Sequence, residues 1–259
     1  MDIFEEMVKA EKSFRAYAIV TVIKNSGAGT ADVGKKMIMY ADGTVVGTIG
    51  GGQFEFESMK IVKGMIAKGK GIETLSVSGV DLLVEVFEPC TTVVVVGGGN
   101  VGNNLLKTVK LLPFATILID SRDETVIGES IGLADYFIKC TDYEEAILSD
   151  AVPEGAYFFC GACTHDYDAQ ALKGALQKNP AYVGMVGSRQ KVAEIFSKLK
   201  EQGVSDEALN SVYTPIGLDI ADGTPAEIAI AIIAEMLLVK NKGEGTNCKD
   251  LTTKFMKGC

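Results

Sequence analysis

Thr92-Val93-Val94-Val95-Val96-Gly97-Gly98-Gly99-Asn100-Val101-Gly102 is the stretch on which the fold turns. A wholly apolar run ends in a glycine loop and passes into a helical stretch at about 103–111. The pattern then repeats. Apolar runs at Ala115 to Ile119, Tyr136 to Ile138, Ala156 to Ala162 and Tyr182 to Val186 alternate with helical segments at about 143–149, 168–177 and 189–201. A last helix runs from about Pro225 to Val239. Apolar strands separated by helices indicate a doubly wound parallel sheet covered on both faces.

Upstream the rhythm differs. A helical pattern from Ile3 leads to a strand-like run, Ala18 to Ile23, and a glycine-rich turn, Ser26-Gly27-Ala28-Gly29. Met37 to Met39 and Val45 to Val46 flank Asp42-Gly43, a hairpin signal. Gly50-Gly51-Gly52 opens an amphipathic helix over Gln53 to Ala67, and Leu82 to Phe87 reads as a strand. This makes a smaller α+β domain over 1–88. Glu88-Pro89 marks the boundary, because proline continues neither helix nor strand, and a Rossmann-like domain fills 89–259.

A chain of 259 residues buries a core of its own without disulfide or metal staples. Acidic residues outnumber basic ones by 34 to 25, for a net charge of −9. Such a field repels phosphate backbones and argues against nucleic acid as a partner. An anionic ligand must then be gripped locally, by backbone amides or a few placed arginines. The apolar run Ile228 to Ala234 stops at Glu235, far short of the roughly 20 residues that span a bilayer. Asp2, Glu5 and Glu6 give the N-terminus no basic start of a secretory signal. Six cysteines are too sparse for a disulfide scaffold, so the expected compartment is the cytoplasm, with reduced thiols. The 29 glycines exceed the usual share of about 7%, and their clusters mark where chemistry should be sought.

Gly97, Gly99 and Gly102 have Gly-x-Gly-x-x-Gly spacing in the strand–turn–helix setting that a dinucleotide site needs. The glycines permit a tight turn and let a pyrophosphate approach the helix N-terminus. Asp120 ends the next strand 18 residues after Gly102, where a ribose-binding carboxylate belongs, and Arg122 stands within reach of a phosphate. The alternative is a sheet of this shape that binds no nucleotide. Gly50, Gly51 and Gly52, followed by Glu55, form a candidate anion nest or else a turn where two backbones pack closely.

His165, the one histidine, falls on the loop after a parallel strand beside Asp166 and Asp168, placed to carry a proton. One histidine and two carboxylates are thin for a metal, and none is assigned. Cys160 and Cys163 have redox-motif spacing, but strand alternation reads them as buried structural residues. Ser188 and Arg189 follow a strand ending in Gly187. Ser188 is either a helix cap or, with Arg189, an anion contact.

Taken together, these blocks resemble the xanthine dehydrogenase accessory protein family (XdhC/CoxI type), maturation factors for molybdenum hydroxylases. The resemblance runs over nearly the whole chain. It rests on Thr48-Ile49-Gly50-Gly51-Gly52 with Glu55, Phe87-Glu88-Pro89, and Gly97 to Gly102 with Asp120-Ser121-Arg122. It continues through Thr164-His165-Asp166 with Asp168, Gly187-Ser188-Arg189 with Lys191, Pro215-Ile216-Gly217-Leu218-Asp219-Ile220, and Thr224-Pro225 with Ala234-Glu235. Two departures stand out. Ala28-Gly29-Thr30-Ala31 occupies the place of the family's Ser-x-Pro-Arg, and Ser78-Gly79-Val80-Asp81 that of its Cys-Gly-Gly.

The resemblance implies a chaperone that binds the molybdenum–pterin cofactor, protects it during sulfuration and delivers it to an apo-hydroxylase, with a cysteine desulfurase as a further partner. A homodimer is expected from the last helix, which is apolar on more than one side. The rival readings are an NAD(P)-dependent oxidoreductase using His165 as proton donor and a nucleotide-sensing module without chemistry.

Overall fold

A computed structural model describes residues 3–12, 15–27, 31–69 and 71–245. Ala28-Gly29 of the expected turn and Cys248 and Cys259 lie outside the described residues. The chain divides into two compact units, Met1–Cys90 and Thr91–Cys259.

The first unit runs α1 (Ile3–Lys12), β1 (Tyr17–Asn25), β2 (Lys36–Tyr40), β3 (Val45–Gly47), α2 (Gly52–Lys68), β4 (Gly71–Val77) and β5 (Val80–Phe87). Its strands form an antiparallel sheet in the order β3-β2-β1-β5-β4. Strand alternation divides the side chains between two cores. Ala18, Val20, Val22, Met37, Met39 and Val84 pack with Val62, Met65 and Ile66 of α2. Tyr17, Ile19, Ile38 and Tyr40 pack on the opposite face with Ala10 of α1. The Asp42-Gly43 hairpin forms as expected, with Gly43 at φ +94°. A second hairpin, β4–β5, turns on Ser78 and Gly79, both at positive φ, the two-residue geometry that matches strand twist.

The second unit runs β6 (Thr92–Val96), α3 (Asn100–Val109), β7 (Ala115–Asp120), α4 (Glu124–Leu133), β8 (Tyr136–Lys139), α5 (Tyr143–Leu148), β9 (Tyr157–Cys160), α6 (His165–Gln177), β10 (Tyr182–Met185), α7 (Arg189–Glu201), α8 (Asp206–Asn210) and α9 (Pro225–Lys240). Its five strands are all parallel and lie in the order β8-β7-β6-β9-β10. The order reverses between β6 and β9, the switch point at whose carboxyl edge doubly wound sheets bind ligands. Val93, Val95, Leu118 and Phe159 face α3 and α9, while Val94, Val96, Phe158 and Cys160 face α5, α6 and α7.

One expectation needs correction. Helix α6 starts three residues earlier than its apolar pattern, because Thr164 caps it by accepting from the Tyr167 amide at 3.2 Å. His165 is therefore the first helical residue and not a loop residue. Helix α9, expected to offer a face to a second copy, packs within its own unit. Thr224 and Glu227 form a capping box at its start, and Ala229, Ile232, Ile233 and Met236 are buried against the core that includes α3. Ile230 is 53% exposed, and Ile228, Leu237, Leu238 and Val239 are half-buried. Among the described residues, no helix is long and apolar enough to cross a membrane.

Candidate functional site

The carboxyl ends of β6, β7, β9 and β10 bring most of the singled-out residues of the second unit to one edge. Gly97, at φ +100°, and Gly102 are there for packing. A Cβ on Gly97 would stand 2.1 Å from the Gly161 carbonyl oxygen, and one on Gly102 would stand 2.0 Å from that of Gly97. Side chains at either position would force backbone apart. Gly99 differs. A Cβ there would meet nothing closer than the Arg122 guanidinium at 3.9 Å.

Gly99 is the N-cap of α3 and has no side chain to satisfy the first amides. Helix α4 also lacks a side-chain cap bond, since its N-cap Asp123 is ion-paired with Lys139, but α5 to α9 do not share that condition. Asp142, Thr164, Ser188, Ser205 and Thr224 each cap α5 to α9 with a side-chain oxygen. A pocket of about 390 Å³ opens beside the bare end of α3, lined among others by Gly98, Gly99, Asn100, Asn104, Arg122 and Ser130.

Asp120 is fully buried at the end of β7, and its carboxylate is saturated. Oδ1 accepts from the Arg122 amide and Nε, each at 2.9 Å, and Oδ2 accepts from the Gly98 amide at 2.7 Å and Arg122 Nη2 at 2.6 Å. Burial alone would raise this carboxyl, but the Arg122 hydrogen bonds and the Gly98 amide hold it below its ordinary value. Hydrogen bonding to Asp120 likewise raises Arg122, which stays charged and 27% exposed at the pocket wall. Ser130 donates to the Gly98 carbonyl and accepts from Asn103 Nδ2, both at 2.9 Å, fixing the loop from the α4 side.

The edge at β9 and β10 is held by Asp168, also fully buried. Its Oδ1 accepts from the Ala162 amide at 2.7 Å and its Oδ2 is ion-paired with Lys191 of α7. Burial raises this carboxyl, and Lys191 offsets only part of the effect. His165 is 59% exposed, with Nδ1 3.2 Å from Glu194 Oε2, while Asp166 pairs with Lys198. Ser188 caps α7 by accepting from the Lys191 amide at 3.2 Å, and Arg189 is exposed beside it. Cys160 is buried, its thiol pushed up by desolvation. Cys163 is exposed on the turn past β9, which corrects its reading as a buried residue. Among the described residues, no three His, Cys, Asp or Glu side chains are grouped to hold a metal ion.

In the first unit the glycine nest is filled from within. Glu55 Oε2 accepts from Thr48 Oγ1 at 2.5 Å, the Ile49 amide at 2.8 Å and the Gly51 amide at 3.1 Å. Burial opposes ionisation, but these donors hold the carboxyl low. Gly50 also serves close packing, since a Cβ there would stand 2.9 Å from Ala31 Cα. Both alternatives weighed for this motif are therefore present: amides converge on an anion, and two backbones pack closely. The anion is the chain's own.

Sequence reading did not anticipate Ser130 or Asn103, and it named Glu235 within the family resemblance without its buried role. Glu235 accepts from Tyr182 Oη at 2.5 Å and the Gly217 amide at 3.0 Å, fastening the loop after residue 214 to α9.

Comparison with known proteins bears on both units. A model described as the XdhC Rossmann domain matches residues 93–236, and one described as the XdhC and CoxI family matches residues 11–77. The uncharacterized protein YqeB of Escherichia coli (strain K12) is 28% identical over 260 residues, covering 95% of this chain and 47% of its own length. A probable xanthine dehydrogenase subunit of Bacillus subtilis (strain 168) is 24% identical over 166 residues, 62% of this chain and 47% of that protein. The chain thus spans about half the length of the curated relatives it matches. A crystal structure of a xanthine dehydrogenase from Bacillus halodurans shares the fold, with a TM-score of 0.52 and 17% identity over 95% of this chain and 97% of that one.

Proposed function

The chain belongs to the XdhC and CoxI family, and from that premise we propose that it is an accessory protein for a xanthine dehydrogenase-type molybdenum hydroxylase. In this reading its cargo is the molybdenum–pterin cofactor, held by its phosphate, kept from solvent during sulfuration and passed to the apoenzyme. A cysteine desulfurase is the partner for the sulfuration step.

The observation that carries the reading is the bare N-terminus of α3. Its amides have no side-chain cap, a glycine keeps the approach open, and a fixed guanidinium stands at the pocket wall. Helix amides and arginine together hold a phosphate without a basic surface, which suits a chain of net charge −9. The pocket supports the reading that the phosphate end of the cargo is held there. Asn100 and Asn104 add side-chain amides on the same wall. The proton-carrying candidates, His165 and Asp168, lie on α6 of the same unit, and Ser188 and Arg189 begin α7. What these residues do in this reading is orient and shield, so the protein acts as a chaperone more than as a turnover enzyme.

The test is co-expression of a molybdenum hydroxylase with and without this chain. Mass spectrometry of pterins released from each purified protein and hydroxylase activity are the readouts. The reading expects a pterin on this chain and a poorly loaded hydroxylase in its absence. A fully loaded hydroxylase without the chain, and no pterin on it, overturns the reading.

A further inference from the structure

The Asp120–Arg122 pair bears on which ligand the pocket accepts. In doubly wound sheets that bind NAD, the carboxylate at the end of the second strand meets the ribose diol. Asp120 stands at that place, at the end of β7 next to β6. A carboxylate has about four acceptor positions. Asp120 uses four, toward the amides of Gly98 and Arg122 and toward Nε and Nη2 of Arg122. A ribose diol would have to displace a two-pronged ion pair whose carboxylate is fully buried to reach it.

The pair also sets the charge of the pocket. Asp120 is neutralised, and Glu129 on the pocket wall is paired with Lys107 at 2.7 Å. What faces the space beside Gly99 is the Nη1 and Nη2 edge of a guanidinium already anchored through Nε and Nη2. Such an arginine loses little freedom when it binds, and its remaining donors match oxygens of a phosphate. Asn100 and Asn104 line the α3 side, where Asn104 Nδ2 donates to the Asn100 carbonyl at 2.8 Å.

Resting on the reading above that this pocket grips a phosphate-bearing ligand, we infer that it selects a phosphate monoester against Arg122 where related sheets select a ribose diol. Two ligand sources share that chemistry: the terminal phosphate of the pterin cofactor and the 2′-phosphate of NADP.

Calorimetric titration of the full chain with NADP+, NAD+ and pterin cofactor released anaerobically from a purified hydroxylase tests this. At least one of the two monoester ligands should bind roughly tenfold or more tightly than NAD+. Whichever one does so identifies the source. Arg122→Lys keeps a charge beside Asp120 but loses the fork, and should shrink the preference to about threefold or less. The preference of the unaltered chain is informative even if that variant folds poorly. NAD+ binding as tightly as both monoester ligands overturns the inference, and so does the failure of both monoester ligands to bind. Failure of the accessory reading is separate: a monoester preference with no effect of the chain on hydroxylase loading would sink that reading and leave the pocket assignment standing.

Discussion

Gly102 lies so close beneath Gly97 that a Cβ on it would stand 2.0 Å from the Gly97 carbonyl oxygen, whereas Gly99, three residues earlier, has open space before it. The three motif glycines therefore divide into two that pack and one that leaves room. Gly97→Ala and Gly102→Ala should each destabilise the second unit by roughly 3 kcal/mol, through overpacking. Gly99→Val, at an extended N-cap position, should change stability by less than about 1 kcal/mol. Denaturant unfolding of the three variants decides it. Equal losses at all three positions would contradict the division.

Glu55 occupies the nest at the start of α2, so removing it should expose the amides of Ile49 and Gly51. Glu55→Ala should lose about 1–3 kcal/mol of stability in the first unit. The variant should regain part of that loss on adding inorganic phosphate, beyond any gain of the parent, because the α3 pocket of the second unit is the same in both proteins. Thermal unfolding with and without phosphate is the measurement. A parent that gains as much from phosphate as the variant would mean that Glu55 does not fill the nest.

The fold was legible in the sequence where one face or both faces of an element are apolar. The strand runs from Thr92, Ala115 and Tyr182, and the helix over 189–201, fall close to where they were expected. Elements without that signal were missed. Helix α4 carries two glycines and a non-helical Ile127, and it packs on α3. Strand β4 is largely exposed, so it lacks an apolar run. Its Ser78-Gly79 turn is the local clue that was available. The site was legible as positions and less so as partners. Asp120 and Arg122 stand two residues apart in sequence, but the saturation of Asp120 depends on where the Gly98 amide points. Ser130 reaches the glycine loop only because α4 returns over it.

The Asp120 carboxyl gives a pH signature. Its folded value lies below the ordinary 3.8, so its stabilisation is fully present above about pH 4 and is lost as pH falls through the lower, folded value. Asp120→Asn should lose about 3 kcal/mol near neutrality by breaking a buried pair. That difference from the parent should be flat from pH 7 to 5 and should shrink below about pH 4. Unfolding free energies measured across this range check it. A difference that grew on acidification would contradict the assignment.

Glu235 holds Tyr182 Oη and the Gly217 amide together in the interior. Glu235→Ala should destabilise the second unit by roughly 3 kcal/mol, because it strands two buried donors. Glu235→Gln keeps an acceptor and should lose less than half of that. Thermal melts of the pair make the comparison, and equal losses would point to packing in place of hydrogen bonding.

His165 and Asp168 separate function from folding. His165 is exposed and first in its helix, so His165→Ala should stay within about 0.5 kcal/mol of the parent. It should nevertheless fail to support activation of a partner hydroxylase in a reconstitution assay. Asp168→Ala leaves Lys191 without its buried partner and should lose about 3 kcal/mol, which makes it a poor probe of chemistry. Full activation by His165→Ala would demote that histidine to a surface residue.

The central claim is that a phosphate-bearing cofactor sits at the bare N-terminus of α3 beside Arg122. Isothermal titration of the anaerobically released molybdenum–pterin cofactor into the parent and into Gly99→Val tests it most directly, because the substitution fills the space proposed for the ligand and leaves the backbone unstrained. The account predicts binding by the parent and an affinity lower by at least roughly tenfold, about 1.4 kcal/mol, in the variant. Equal affinities in the two proteins would contradict it.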